Sequence, residues 1–310
     1  MKKELFHFIK KIISFLVFAF TVYVLLICLL GEMGMTPFLK NLNYPIGVHG
    51  FLFSRLQEVK TTHDVDILFL GSSHTYRGFD NRIFKKHGFS SFNLGSSNQT
   101  PLQTEVLIQR YLHSLRPKHI IYEVHPEAFT MDGVESTLHI ISNDKNDFAS
   151  LKMAFIENHI KVYNVLIYAF YRDFFNRNSN FTEEKIIGDD QYISGGFVEK
   201  KLHYFEHKIY PKKQNIYIPT QWEAFDRTVH FIQKNNIQLT FVQAPVTSAL
   251  YQSYTDNTDF DKKIMSYGTY YNFNEIMQLD DSLHFFDADH LNQNGVEIFN
   301  EKLLRTASGF

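Results

Sequence analysis

The chain has 310 residues, 44% of them hydrophobic and 16% aromatic, with 31 Lys plus Arg against 33 Asp plus Glu and a formal charge of −2. That length and apolar share suit one large domain or two small ones with a real core, and exclude a mainly disordered or collagen-like chain. The even charge balance announces no nucleic-acid partner, and a single cysteine excludes a disulfide framework or a cysteine-based zinc cluster.

Residues 12–30 form a run of 19 without a charge. As a helix this run covers roughly 28 Å, about the hydrocarbon thickness of a bilayer. Lys2, Lys3, Lys10 and Lys11 precede it and Glu32 follows. The positive-inside bias therefore predicts a cytoplasmic stub and transmembrane anchor over residues 1–31, with the remainder extracytoplasmic. The run is longer than the apolar part of a usual signal peptide and no A-x-A-like site follows it, so the anchor is expected to stay uncleaved. Residues 32–62, with Pro37 and Pro45, read as a connecting arm.

From 63 to 310 strand-like and helix-like segments alternate. Short apolar runs predict strands at 66–70, 91–94, 119–124, 237–242 and 284–286. Between them, Thr100-Pro-Leu-Gln103 and Thr220-Gln-Trp-Glu223 have the spacing of capping boxes, and a last helix is expected from near Asn292. Such alternation implies βαβ units, hence an α/β fold: three layers, with a mainly parallel five-stranded sheet covered on both faces. Residues 128–218 break the alternation and read as a helical insertion, its helix at 151–175.

In parallel sheets, ligands gather at the carboxyl ends of the strands, and three predicted ends carry unusual residues. The first strand stops at Gly71-Ser-Ser73, where the Ser73 hydroxyl would project above the sheet. The second stops at Gly95, where a backbone N–H can approach a reacting oxygen with no Cβ in the way, and Asn98 follows. Before the last helix stand Asp287 and His290, spaced so that the carboxylate can hold one ring nitrogen while the other faces a serine. The helix start beside His290 is expected to disfavour imidazolium. Each fragment alone is a common pattern; their joint placement points to acyl transfer by a serine nucleophile.

These blocks resemble the SGNH (GDSL-like) hydrolase superfamily. Its Gly-Asp-Ser block is matched by LFLGSS at 68–73, with Ser72 in place of the aspartate; its second-block glycine by Gly95; and its Asp-x-x-His block by Asp287 and His290. The match covers about 63–126 and 237–305. The resemblance implies a flavodoxin-like strand arrangement and a Ser73–His290–Asp287 triad needing no cofactor and no metal. The family's third block, Gly-x-Asn-Asp, supplies an oxyanion-hole asparagine; this chain has Val124-His125-Pro126-Glu127 there, and an ionised Glu127 cannot donate. Asn98 or backbone N–H groups would take over, or activity would be reduced or lost. The anchored layout looks like envelope members that accompany polysaccharide O-acetylation or teichoic-acid D-alanylation. It implies a glycan or acyl-carrier substrate and a membrane-bound O-acyltransferase as partner.

His74 and His125 flank this proposed site and suit substrate binding or structural hydrogen bonding. His203-x-x-Glu206-His207 has the spacing of an inverted zinc-protease motif, without an evident third ligand. A binding or assembly protein on the same scaffold is the alternative to an enzyme. The two differ in whether His290 reaches Ser73.

Overall fold

The computed structural model describes residues 2–47, 50–206 and 208–307. Among the described residues eight strands occur in chain order: β1 (Ile67–Leu70), β2 (Ser91–Asn93), β3 (His119–Glu123), β4 (Ile186–Ile187), β5 (Asp190–Ile193), β6 (Phe197–Lys200), β7 (Gln238–Gln243) and β8 (Tyr270–Asn272). Five of them form one parallel sheet in the order β2-β1-β3-β7-β8, and β4-β5-β6 form a small antiparallel meander.

Strand alternation sets the layers. On β1, Leu68 and Leu70 join one core with Leu107, Ile108, Phe225 and Val229 from the helices Pro101–Leu115 and Pro219–Lys234. Ile67 and Phe69 point the other way, into a second core with Phe79, Phe84, Val296 and Phe299. The same split recurs on β3, where Ile120 and Tyr122 face the first core and Ile121 the second. A strand buried on both faces reads as a continuous apolar run, which is why these strands were visible in the sequence. The result is the expected three-layer α/β arrangement. Its order reverses between β1 and β3, and such a switch point opens a crevice at the carboxyl ends.

Three expectations need correction. The fifth strand of the sheet is β8 at Tyr270–Asn272, not 284–286. Phe285 instead makes an isolated antiparallel bridge with Leu291, closing the turn that carries Asp287 and His290. The helix Pro219–Lys234 is not opened by a Thr220 capping box: Ile218 is its N-cap and makes no side-chain cap bond. Pro219 takes the first helical position, where its fixed φ and missing N–H cost nothing, and Thr220 is already inside. The helical piece at 151–175 is two helices, Phe148–Glu157 and Ile160–Phe174. Left-handed Asn158 ends the first, and His159 caps the second by accepting from the Lys161 N–H. A further helix, Val134–Asn143, and the β4–β6 meander complete this stretch.

Helix Lys2–Glu32 is long and apolar enough to cross a membrane. Among the described residues its contacts with the rest of the chain lie toward its carboxyl end. Ile27 is buried there, the Tyr23 hydroxyl donates to Asn164, and Gly31 packs so tightly on the Tyr168 ring that an added Cβ would lie 2.3 Å from it. The segment 50–62 packs into the fold through the helix Leu52–Glu58, with Leu56 and Val59 fully buried. Within it, Arg55 is fully buried and donates Nε and Nη2 to the Gly196 carbonyl at 3.0 and 2.9 Å, joining this segment to the meander.

Candidate active site

Ser73 is the first residue of the short helix Ser73–Gly78, directly beyond β1. The chain reaches it through Gly71, whose φ of +137° suits only glycine; a Cβ there would lie 2.3 Å from Thr75 Oγ1 and 2.7 Å from the Glu123 carbonyl. The turn between β1 and this helix is thus forced tight, which lifts Ser73 above the sheet edge.

His290 arrives from the far end of the sequence. Its Nε2 lies 2.8 Å from Ser73 Oγ, and its Nδ1 lies 3.0 and 3.1 Å from the two Asp287 oxygens. Local hydrogen bonds fix this turn: Asp287 Oδ1 accepts from the N–H groups of Asp289 and His290 at 3.0 and 2.7 Å, and the Phe286 N–H donates to the His290 carbonyl. Just beyond it, Asn292 caps the helix Gln293–Thr306 by accepting from the Gly295 N–H. Two distant parts of the chain therefore bring three residues together in the order alcohol, ring base, carboxylate.

A second carboxylate joins them, one that the sequence reading did not single out. Asp289 Oδ1 lies 3.2 Å from His290 Nδ1, and its other oxygen 3.7 Å from His74 Nε2. Burial opposes a charged imidazole, but Asp287 and Asp289 outweigh it and push His290 up to about 10. Asp289 is held well below the usual carboxylate range: burial works against its ionisation, and the hydrogen bond and charge of His290 prevail. The expectation that a helix start would disfavour imidazolium is therefore reversed, because two nearby acids exceed one helix terminus. The signal was present as two acids in the string Asp-Ala-Asp-His, but the i, i+3 pairing drew attention from the adjacent one.

The rings stack in a column. His125 lies on His74 with centroids 4.0 Å apart, His74 lies 4.9 Å from His290, and Phe286 covers the other face of His290 at 5.5 Å. His74 is buried and accepts or donates at Nδ1 with Ser72 Oγ, 3.1 Å away. Burial, then the neighbouring rings of His125 and His290, hold its proton affinity well below that of a free imidazole. Beneath them Glu123, at the end of β3, is buried and pushed up to about 7, chiefly by desolvation.

The other expected residues are placed as follows. Gly95 packs against block one, where a Cβ would lie 2.7 Å from the Ser72 carbonyl; its N–H donates to Asn93 Oδ1 at 3.0 Å. Asn93 also donates to the Thr75 carbonyl at 2.7 Å, so it staples the two strand ends together. Asn98 is exposed, with its amide 3.3 Å from Glu135, and the structure gives it no contact with the triad. His125 is buried under His74, and Glu127 is an acceptor for Lys213 at 3.0 Å and for the Tyr254 hydroxyl.

Two groups bring three donor atoms within 4.8 Å of one another: His74 with Asp289 and His290, and His74 with Glu123 and His125. An imidazole binds a metal through a lone pair in its ring plane at about 2.0–2.1 Å. Rings stacked face to face at 4.0 Å, or at 4.9 Å, aim their lone pairs side by side, and a single ion cannot lie in both planes. The stacking therefore suits proton chemistry better than ligation. Of the inverted zinc-protease spacing, His203 pairs with Asp189 at 3.0 Å, and His207 lies outside the described residues.

No protein-family model matches the chain, and no curated protein matches it by sequence. Among solved structures, the chain is similar to one from Bacteroides fragilis described as a putative acylhydrolase, at 11% identity and TM-score 0.41 over 81% of this chain and 92% of that one. It is also similar to a GDSL-like lipase from Bacteroides thetaiotaomicron, at 9% identity and TM-score 0.41 over 82% and 95%. A gut microbial diltiazem-metabolizing enzyme is similar at 13% identity and TM-score 0.29, over 79% of this chain and 47% of that one. The fold class rests on the strand order itself.

Proposed function

We propose that the protein is a membrane-anchored, extracytoplasmic SGNH-like serine esterase or O-acyltransferase acting on a cell-envelope glycan or an acyl carrier. The observation that carries this reading is the 2.8 Å contact of His290 Nε2 with Ser73 Oγ, with Asp287 on the opposite ring nitrogen. In this scheme Ser73 Oγ attacks the acyl carbonyl as neutral His290 takes the hydroxyl proton. Collapse of the tetrahedral intermediate breaks the ester C–O bond, and His290 returns the proton to the leaving oxygen. Water, or a sugar hydroxyl, then attacks the acyl-enzyme by the same proton path in reverse. Asp287 keeps the proton of the neutral ring on Nδ1.

The donors for the oxyanion are the backbone N–H of Ser73 and that of Gly95, the latter exchanging its bond to Asn93 Oδ1 for the developing charge. Exposed Asn98 is assigned to the substrate side of the rim, while buried His125 backs His74 from beneath. The scheme uses no cofactor. Anchoring follows from the apolar helix and the four lysines that precede its charge-free run, and a membrane-bound O-acyltransferase is the partner such a layout would serve.

The test uses the full chain in detergent or nanodiscs, with p-nitrophenyl acetate as substrate and a fluorophosphonate probe as trap. Labelling and hydrolysis are expected in the wild type and lost in Ser73→Ala; either one persisting in that variant overturns the nucleophile assignment. A binding protein without turnover is the alternative, and it would leave the wild type unlabelled.

A further inference from the structure

We propose that the carboxyl edge of the sheet, with Ser73 and His290 on it, is held facing the bilayer, so that its acyl esters arrive on amphiphiles lying in the outer leaflet. The proposal deepens the reading above and rests on its anchored part.

The direction of the chain elements carries it. Contacts between Lys2–Glu32 and Ile160–Phe174 climb both helices in the same sense: Tyr23 meets Asn164, Gly31 meets Tyr168, and Glu32 lies 3.9 Å from Arg172. The two therefore run parallel. The turn at Asn158 reverses the chain, so Phe148–Glu157 runs against Ile160–Phe174. That helix in turn meets Pro101–Leu115 in opposite sense, with Asp147 on Arg110, Lys152 on Glu105 and Glu157 on Gln103. Pro101–Leu115 is the crossover from β2, on one side of β1, to β3 on the other; all three strands are parallel, so it runs against them. Two reversals along the helices and one into the sheet leave the strands opposed to the anchor. If the anchor runs outward, the strand ends bearing the triad point back toward the membrane.

The surface at that edge has the matching composition. Residues 201–206 and 208–217 cross it as an extended strap: the Phe205 N–H donates to the Phe285 carbonyl and the Lys213 N–H to the Ser253 carbonyl. On this strap Ile209 and Ile216 are 89% and 85% exposed, and exposed Lys201, Lys208 and Lys212 are interleaved with them. Bare isoleucines gain nothing from water. With lysines on either side they suit the boundary between acyl chains and anionic headgroups. A soluble partner would leave unexplained the strap's agreement with the direction of the anchor.

The experiment uses the full chain with Cys28→Ser, reconstituted in nanodiscs of phosphatidylcholine and phosphatidylglycerol. Single cysteines carrying a bimane fluorophore are placed at Ile209, Ile216, Phe18 or Lys118, and quenched by nitroxide-labelled lipid. Quenching is expected at Ile209, Ile216 and the anchor position Phe18, and not at Lys118 on the amino edge. Quenching at Phe18 with none at Ile209 or Ile216 overturns the orientation and leaves the anchor standing; none at Phe18 overturns the anchored reading and the orientation with it. As a second readout, Ile209→Asp with Ile216→Asp is expected to lower the ratio of vesicle-borne ester turnover to soluble p-nitrophenyl acetate turnover at least tenfold. An unchanged ratio overturns the lipid-contact role.

Discussion

Asp289 and His290 are chain neighbours whose side chains also meet, Oδ1 to Nδ1 at 3.2 Å, on the same nitrogen that Asp287 holds at 3.0 Å. A ring between two acids binds its proton tightly, and a base must be neutral to work. Turnover should therefore rise with pH along a limb set by His290, on the alkaline side of a free imidazole's 6.5. Removing one acid weakens the ring's hold on its proton. In Asp289→Asn the limb is expected to move toward lower pH, with turnover at the alkaline plateau little changed, as read from pH–rate profiles of kcat/KM. A limb that stays in place would show that Asp289 does not act on the ring.

Asp287→Ala removes the nearer of the two carboxylates on Nδ1 and also frees the N–H groups of Asp289 and His290. On the triad scheme the loss in kcat is about 10²- to 10⁴-fold. Comparison with Ser73→Ala checks this, because residues acting as one unit give non-additive losses: the double variant should be no slower than Ser73→Ala alone.

Gly95→Ala tests close approach, since Gly95 has no positive φ to explain it. The new methyl would meet the Ser72 carbonyl at 2.7 Å and Thr75 Cβ at 2.8 Å, both on the turn that presents Ser73. Overpacking of this kind costs about 1–3 kcal/mol. A lowered Tm together with a fall in kcat exceeding that of KM is expected.

Glu123 provides a stability signature. Its carboxyl is raised by burial from 4.5 to about 7, so between those values the folded state keeps a proton that the unfolded state has released. This group's contribution is then stabilising at low pH and fades as pH rises from about 4.5 through 7, at up to about 1.4 kcal/mol per pH unit. Glu123→Gln should flatten that part of the profile and be more stable than the wild type at pH 8, as measured by denaturant melts across pH.

The parallel strands were legible because β1 and β3 are buried on both faces and so carry unbroken apolar runs. The juxtaposition of Ser73, His290 and Asp287 was legible because they stand at strand ends or before a capped helix, positions that turn chemistry marks. The meander was not. Its strands are two to four residues long and only partly buried, and β5 uses Asp190 to bind Arg77 rather than apolar alternation. Nor could one sequence show that Asn93 would occupy the Gly95 N–H, or that Asn98 would turn to Glu135: both depend on where separate segments come to rest.

The four-ring column from His125 through His74 and His290 to Phe286 has one more effect. An imidazole stacked against both His74 and Phe286 is hindered from turning about its Cβ–Cγ bond, which disfavours an exchange of roles between its two nitrogens. On the proposed mechanism the proton would then travel along one line in each half-reaction, and the repositioning needed between leaving group and acceptor would fall to the incoming molecules.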